Sequence, residues 1–428
     1  MNVMYDISFL GTVHDYSLLK TGIPRVIEEL ACQLTEVPDC NLELCSSEHL
    51  PHSVDYVKTN SHLKTVRFPH SKFSASFYRK HRAVQRTIDS SSGASLIAAR
   101  AQRKLMHSFE TAAKNSLLRN SLLTLDAGSL RRADIYHSTY LAVPEQARNS
   151  QRPQLFLTVY DMIPTLFPEY CSPGIIETFD KILASIGPDT WLLSISEATK
   201  AEFCDYLKLD PNRVFVTPLA ADTSLFYPNT DSDAQAHVRQ KYHIPSGPYV
   251  LSLCTIAPHK NIEHVIRSFV RLKQAQPLDD LLLVLAGGKG WSNDNIFREI
   301  EGAEALKDSI VVTGYVANED LAALYSGALA FVFPSLYEGF GLPPLEAMQC
   351  GTPVITSNTS SLPEVVGDAG ILLNPRDEDG LCQSLLSLYE DAGLRAQMSA
   401  RSLARAAQFS WKRCAEDTIH AYKTALGS

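Results

Sequence analysis

FVFPSLYEGFGLPPLEAMQCGTPVITSN, residues 331–358, has the pattern of a strand, a loop, a short helix and a second strand. Its first apolar run is rich in β-forming residues, which is typical of a buried parallel strand. Pro343 and Pro344 suit the first turn of a helix, where a missing N–H costs nothing. Gly351 and Pro353 then end that helix. The stretch is therefore predicted to form a βαβ unit with a glycine loop at the carboxyl end of its first strand.

Two carboxylates flank the predicted glycine loop: Glu338 lies in the loop, and Glu346 lies on the helix eight positions later. The free N–H groups and the positive dipole end of the helix favour an anion such as a phosphate. A carboxylate beside an anion site suits a ligand that also carries hydroxyls, and a nucleotide sugar has both groups. Isolated acids at this spacing are usually solvated, but behind a buried strand we favour a binding site.

Apolar runs predict the other strands of the chain, and we expect two parallel α/β units. In the first half the predicted strands are Val3–Phe9, Ala133–Thr139, Leu155–Val159, Trp191–Ile195 and Val214–Thr217. In the second half they are Tyr249–Cys254, Leu281–Ala286, Ile310–Thr313 and Ile371–Leu373. The polar run Tyr227–Pro245 has the composition of an interdomain link.

The stretch at 331–358 and the later SLPEVVGDAG of residues 361–370 resemble the donor-binding core of retaining glycosyltransferases of the GT-B fold, and family 4 in particular. The resemblance is specific over residues 248–420 and weaker over residues 1–225. It implies an α/β protein in which two Rossmann-like, doubly wound domains face a central cleft. The implied parts are an acceptor-side domain at 1–225, a nucleotide-sugar domain at 240–405 and a last helix within 406–428 that packs back towards the first domain.

The resemblance also implies roles for individual residues. Glu338 holds hydroxyls of the transferred sugar and Glu346 holds the ribose, while Lys260 neutralises the departing diphosphate. The remaining residues of the implied donor site present backbone groups to the sugar, the phosphates or the base: Gly22, Thr255, Gly314, Tyr315, Val316, Gly339, Phe340, Gly341 and Leu342.

The phosphate-binding part of the chain departs from the family pattern at two places. Many members have an arginine directly before the lysine, where this chain has His259, and an earlier arginine where it has Cys254 or Thr255. We therefore expect a clamp with fewer cations, or one completed by the Gly22 N–H and another basic residue.

His137 and Asp161 are the candidates for the acceptor side of the cleft, because each follows or ends a predicted strand. A histidine at a strand end is more often a structural residue. Many family members have His-Asp or His alone where this chain has Tyr160-Asp161. We favour Asp161 as the residue that orients or deprotonates the acceptor hydroxyl.

The implied reaction is a hexose transfer that retains the anomeric configuration, with front-face attack and the departing phosphate accepting the proton. The donor is expected to be GDP-mannose or UDP-glucose, and the acceptor a glycan or lipid-linked saccharide of a cell-surface or exopolysaccharide. No metal and no cofactor are expected, because Lys260 and the helix dipoles supply positive charge. Base, sugar and acceptor are not readable from residue types.

Four other functions also fit parts of the pattern. A glycoside hydrolase uses two carboxylates without a nucleotide. A Rossmann dehydrogenase needs G-x-G-x-x-G, and GFGLPP lacks the last glycine. A nucleotide-sugar epimerase, or a sugar-nucleotide binding protein without catalysis, shares the core and remains an open alternative.

The composition bounds the partners and the compartment. A chain of 428 residues predicts two or three domains, and a net charge of −8 argues against general nucleic-acid binding. Nine cysteines without C-x-x-C or zinc spacing indicate buried thiols in a reducing compartment. The beginning of the chain, MNVMYDISFLG, lacks a basic region, so we expect no signal peptide and a cytoplasmic location.

Residues 51–132 are basic, with 15 Lys and Arg against 4 Asp and Glu. Phe73, Phe77 and Tyr78 precede Arg79 and Lys80 in this insert. One interpretation is a face that attaches the protein to an anionic membrane or a lipid-phosphate acceptor at the inner side of the cell membrane. The other is a solvated helical face, and the sequence leaves both open.

Overall fold

Two parallel sheets form the core of the computed structural model, which describes residues 1–15, 22–90, 98, 101–106, 108, 125–254, 257–288, 299, 302 and 304–427. The first sheet has the order β2-β1-β3-β4-β5-β6 and the second the order β12-β11-β10-β7-β8-β9. The strands are β1 (Asn2–Asp6), β2 (Asn41–Cys45), β3 (Ile135–Ser138), β4 (Gln154–Val159), β5 (Thr190–Ser194), β6 (Val214–Val216), β7 (Tyr249–Leu253), β8 (Leu282–Ala286), β9 (Ile310–Gly314), β10 (Ala330–Phe333), β11 (Val354–Ser357) and β12 (Ile371–Leu373).

Helices connect and cover these strands. They are α1 (Ser8–Asp15), α2 (Ile23–Thr35), α3 (Leu50–Thr59), α4 (Lys72–Ser90), α5 (Ala127–Arg132), α6 (Glu145–Arg148), α7 (Ile163–Leu166), α8 (Pro173–Ser185), α9 (Glu197–Leu207), α10 (Ser232–Lys241), α11 (Ile262–Ala275), α12 (Asn318–Ser326), α13 (Leu342–Gln349), α14 (Leu362–Val366), α15 (Glu378–Glu390), α16 (Ala392–Ala406) and α17 (Trp411–Leu426).

The strand order explains where a ligand site can form. In the first sheet β1 pairs with both β2 and β3, and in the second β10 pairs with both β7 and β11. The connections therefore leave in opposite directions at β1/β3 and at β7/β10, which opens a crevice at the carboxyl ends of those strands. The predicted fold class, two Rossmann-like doubly wound domains that face a cleft, is confirmed.

The first predicted strand, Val3–Phe9, was too long at its carboxyl end. β1 stops at Asp6, and Ser8 begins α1. Asp6 Oδ1 accepts hydrogen bonds from the Ser8 N–H at 2.8 Å and from the Ser8 hydroxyl. This local side-chain contact turns the chain into the helix, although Ile7 and Phe9 are themselves good β-formers.

The polar run that has the composition of a link, Tyr227–Pro245, contains helix α10. Asp231 Oδ1 caps it by accepting the Asp233 N–H at 2.9 Å. At its other end, Lys241 Nζ and the Tyr242 hydroxyl each lie 2.6 Å from Asp320 Oδ2 on α12. The helix is therefore packed against the second sheet's domain rather than extended between the two.

The last helix, α17, returns to the first sheet. Its Tyr422 hydroxyl lies 2.7 Å from His137 Nδ1 on β3, and its Cys414 Sγ lies 3.9 Å from the Thr217 carbonyl oxygen. Trp411 at its beginning is also buried. The two domains are thus joined both by the chain before α10 and by this helix.

Candidate functional site

A cleft of about 470 Å³ lies between the carboxyl ends of the two sheets, and we call it the central cleft. The first domain contributes the turn before α2 and the end of β4. The second domain contributes the loops after β7, β8, β9 and β10. Its charged and glycine lining residues are Gly22, Arg25, Asp161, His259, Lys260, Gly287, Gly288, Glu338, Gly339, Gly341 and Glu346.

Glu338 and Lys260 form a buried ion pair in the central cleft. Lys260 Nζ lies 2.6 Å from Glu338 Oε1 and 2.9 Å from Oε2, with side-chain exposures of 15% and 10%. The ammonium also lies 5.2 Å from the centroid of the Phe333 ring. Ser360 fixes the backbone of Glu338, because its Oγ accepts the Glu338 N–H at 2.9 Å. These contacts therefore hold the carboxylate and the ammonium in place at one point of the cleft.

Glu346 is paired across the domain boundary. Its Oε1 lies 3.3 Å from Arg25 Nη1 of α2, and its Oε2 accepts the Tyr325 hydroxyl at 3.2 Å. Burial raises the pKa of the Glu346 carboxyl, while Arg25 and the Tyr325 hydrogen bond oppose that rise. The two predicted carboxylates thus share one cleft, and each has a cation beside it.

Sequence reasoning did not single out Arg25. The signal was present in part, because Arg25 stands in the first turn of α2 just after Gly22, a turn expected to approach the ligand. Its partner Glu346 lies 321 positions later in the chain. No local pattern connects two residues at that separation.

The glycine loop between β10 and α13 packs tightly against the first domain. A Cβ atom on Gly339 would lie 2.0 Å from the Tyr160 carbonyl oxygen and 3.0 Å from Asp161 Cβ. Gly341, with φ 120°, turns the chain into α13 in a region that favours glycine. Phe340 and Leu342 also line the cleft. The loop therefore brings its backbone to the ligand space and closes one side of it.

Further polar contacts join the domains beside the loop. The Tyr337 hydroxyl donates to Glu202 on α9 and accepts the Met162 N–H at 3.1 Å. Glu364 of α14 accepts the N–H groups of Glu197 at 2.8 Å and of Ala198 at 3.0 Å, so it caps α9 from the other domain. No local sequence pattern indicates these residues, because their partners belong to the other domain.

Asp161 lies where β4 opens into the central cleft. Its Oδ1 accepts the Ile163 N–H at 2.9 Å. Loss of water around the carboxyl raises its pKa from 3.8 to about 6, the Ile163 hydrogen bond opposes the rise, and nearby Glu338 adds to it. Lys260 acts against the rise. Of the two acceptor-side candidates, this is the one that the structure places in the cleft.

His137 does not lie in the cleft, and the expectation that it faces the sugar is corrected. It is fully buried, with Nε2 2.7 Å from Thr158 Oγ1 and Nδ1 2.7 Å from the Tyr422 hydroxyl. Burial lowers its pKa to about 3, so it stays neutral. The reason is the strand alternation: the side chain of His137 points to the face of β3 that α17 covers.

The segment Gly314–Val316, which the family resemblance implies presents backbone groups to the base, is only partly in the cleft. Tyr315 and Val316 line it, whereas Gly314 does not; the Gly314 carbonyl accepts the Gly287 N–H at 2.8 Å. Thr255 lies outside the described residues. His259 lines the cleft, but burial, followed by the charge of Lys260, lowers its pKa to about 4. It therefore supplies no second positive charge at neutral pH.

The described residues form neither a metal-binding group nor a membrane-spanning helix. Within the described ranges, no three His, Cys, Asp or Glu side chains come together as a metal-binding group. In the same part of the chain, every helix is too short or too polar to cross a bilayer. The expectation of a metal-free reaction stays a prediction.

Transfer activity is expected to depend on Asp161 in mildly acidic solution. With a pKa of about 6, the carboxylate form needed to orient or deprotonate an acceptor hydroxyl is lost as the pH falls through that value. We expect kcat/KM to fall about tenfold per pH unit below about pH 5.5, a limb absent in Asp161→Asn. Rate profiles of both proteins between about pH 4 and 8 check this.

Burial also raises the pKa values of Glu346 and Glu202. The pH–rate profiles of wild type and Asp161→Asn must therefore be compared to identify the group that titrates. If Asp161→Asn keeps the acidic limb at the same pH, another group titrates. For stability the sign is opposite: a raised pKa favours the folded state at low pH, and this advantage is lost as the pH rises through about 6.

Comparison with known proteins places the chain among carbohydrate enzymes. A profile of the family described as Glycosyl transferases group 1 matches residues 234–405. O-antigen chain mannosyltransferase B of Escherichia coli is 35% identical over 293 residues, which cover 68% of this chain and 74% of that protein. Serotype-specific mannosyltransferase WbdA of Escherichia coli is 32% identical over 276 residues, 63% of this chain and 33% of that protein.

Solved structures show the same fold at low identity. Anabaena HepE, in complex with UDP and glucose, superposes with a TM-score of 0.61 and 15% identity, over 98% of each chain. Likeness at this identity carries the fold alone. The chain spans about three quarters of the length of mannosyltransferase B and about a third of the length of WbdA.

Proposed function

Because the chain belongs to the glycosyl transferases group 1 family and is a glycosyltransferase of the GT-B fold, we propose that it transfers mannose from GDP-mannose to a growing cell-surface polysaccharide. The choice of mannose and of a polysaccharide acceptor is supported by the names of the relatives it matches, an O-antigen chain mannosyltransferase among them. UDP-glucose, the other donor that the family resemblance implies, is the second candidate.

One observation carries the proposal: both carboxylates of the glycine-loop stretch point into one cleft between the sheets, each beside a cation. A diphosphate-linked sugar matches this arrangement, because its anionic phosphates attract Lys260 and Arg25 while its hydroxyls donate to Glu338 and Glu346. A sugar without a phosphate would leave the cations unused. A free phosphate would face the negative charge of the carboxylates with no sugar hydroxyls to bind them.

The chemistry proposed for the cleft is a retaining transfer. Glu338 orients the transferred sugar, Lys260 stabilises the charge that builds on the leaving diphosphate, and Asp161 orients the acceptor hydroxyl. The departing phosphate takes the proton of that hydroxyl. We propose no metal for this step, since the ammonium and the helix N-termini supply the positive charge. The closed contacts between domains exclude water from the donor.

A thermal-shift screen tests the donor. The protein is mixed with GDP, UDP and ADP and with GDP-mannose and UDP-glucose, and its melting temperature is measured. A nucleotide present at about 100 times its dissociation constant adds about 2.7 kcal/mol to the free energy of unfolding. We expect GDP and GDP-mannose to give the largest shifts. If none of the five compounds raises the melting temperature, the result contradicts a nucleotide-sugar site.

The basic insert supports a second proposal, peripheral attachment to an anionic inner membrane surface in the cytoplasm. In α4, Phe73 is 53% exposed and its ring stacks with Phe77 at 6.5 Å. Arg79 is paired with Asp55 at 2.8 Å, so part of this charge is already used within the protein. Sedimentation with anionic vesicles at low salt, absent with neutral vesicles, is the expected result. Failure to sediment with either vesicle would leave the solvated-face interpretation.

A further inference from the structure

Two cationic side chains line the described part of the central cleft, and they come from different domains. Lys260 belongs to the second domain, and Arg25 belongs to α2 of the first. Three carboxyl groups face them: Glu338, Glu346 and Asp161. A diphosphate that entered next to Lys260 alone would meet more negative than positive charge. Arg25 would bring a second positive charge to the phosphates and reduce the negative excess that they meet.

Arg25 is held close to, but not tightly by, its present partner. Its Nη1 lies 3.3 Å from Glu346 Oε1, beyond the 2.7–2.9 Å usual for strong charge-assisted hydrogen bonds. Its guanidinium lies 5.6 Å from the centroid of the Phe226 ring, which supports the flat group from one side. Both partners are largely buried, with side-chain exposures of 13% for Arg25 and 11% for Glu346. The contact is well shielded from solvent. Because it is long, Arg25 can exchange Glu346 for another anionic partner.

Glu346 can release Arg25 and still have both carboxylate oxygens hydrogen-bonded. Its Oε2 already accepts the Tyr325 hydroxyl at 3.2 Å, and the hydroxyls of a ribose can donate to Oε1. A donor that brings ribose hydroxyls and phosphates together supplies a new partner for each side of the pair at once. A nucleoside alone supplies only the partner for Glu346.

We propose that Arg25 is a diphosphate-binding residue contributed by the first domain, and that Glu346 holds it in position until the donor arrives. The inference rests on the proposed function and names the group that completes its phosphate clamp. On donor binding, Arg25 turns from Glu346 to the phosphates, opposite Lys260. Because the two cations lie on different domains, the same contact joins the domains over the bound donor. As charge builds on the leaving diphosphate, the arginine stabilises it.

The test compares binding of a nucleoside with binding of its diphosphate. Titration calorimetry of GDP and guanosine, or of UDP and uridine, is performed on wild type, Arg25→Ala and Arg25→Lys, together with transfer kinetics. We expect Arg25→Ala to weaken diphosphate binding at least about tenfold, to leave nucleoside binding unchanged or stronger, and to lower kcat about 10²-fold. Arg25→Lys keeps the charge and should recover part of both losses.

Arg152→Ala is the matched control. Arg152 lies in the same domain, pairs with Asp134 at 3.2 Å and is 57% exposed, so neither ligand should be affected. Equal loss of nucleoside and diphosphate affinity in Arg25→Ala, or no loss at all, overturns the inference. If Arg25→Ala does not fold, the same comparison is made on Arg25→Gln, which removes the charge but keeps a long polar side chain. Unchanged diphosphate affinity and kcat in Arg25→Gln would overturn the inference. A wild type that binds no nucleotide contradicts the proposed function itself.

Discussion

Replacing Glu338 with alanine is expected to lower glycosyl transfer by about 10²–10³-fold or more, while nucleoside diphosphate binding changes much less. The carboxylate accepts two hydrogen bonds from Lys260 at 2.6 and 2.9 Å in the central cleft. Its removal takes away the group that orients the sugar hydroxyls and frees the ammonium to contact the diphosphate. The expected signature is therefore a fall in kcat rather than in nucleotide affinity, measured by transfer kinetics and calorimetry.

Glu338→Gln separates charge from shape in this experiment. The amide keeps the size of the side chain but cannot pair with Lys260 as a carboxylate does, so we expect most of the loss to remain. Glu177→Ala is the control, because that carboxylate forms a surface pair with Lys181 at 2.7 Å and does not line the cleft. Normal transfer by Glu338→Ala would remove Glu338 from the proposed site.

Gly339→Ala is expected to reduce transfer by about 10²-fold through geometry alone, because misplacement of reacting groups by about 1 Å costs that much. A Cβ atom there would lie 2.0 Å from the Tyr160 carbonyl oxygen and 2.9 Å from its carbon, both backbone atoms. Either the glycine loop or the end of β4 must move. Thr199 Oγ1, which lies 3.3 Å from both the Gly339 and Tyr160 carbonyl oxygens, marks the junction that would open.

We expect Gly339→Ala to lose more transfer activity than any loss of folded protein could explain. Gly174→Ala is the matched control, because a Cβ on Gly174 in the first turn of α8 meets no atom within 4 Å. We expect wild-type transfer and an equal or higher melting temperature for the control, since alanine is the better helix former. Wild-type kinetics for Gly339→Ala would show that the close approach of the domains is not needed for catalysis.

The sequence alone was sufficient for the architecture. Apolar runs, glycines and prolines predicted most strands of both sheets, and the bounds of β12 agree fully. Strand β2, Asn41–Cys45, was not predicted, and the other errors lie at element ends and in a polar stretch. Asp6 ends β1 early by capping α1, and Asp231 begins a helix inside a polar run. These are single side-chain contacts, which hydrophobic periodicity does not report.

The sequence by itself also determined which residues belong to the glycine-loop site, because Glu338 and Glu346 stand in one short βαβ unit whose geometry is local. Only the tertiary structure decided what faces them. Arg25 reaches Glu346 from the other domain, whereas His137 turns away from the cleft towards Tyr422 of the last helix. Local patterns specify strands and helices through neighbouring residues. The apposition of two sheets, and the side of a strand that a helix covers, depend on packing between segments hundreds of positions apart.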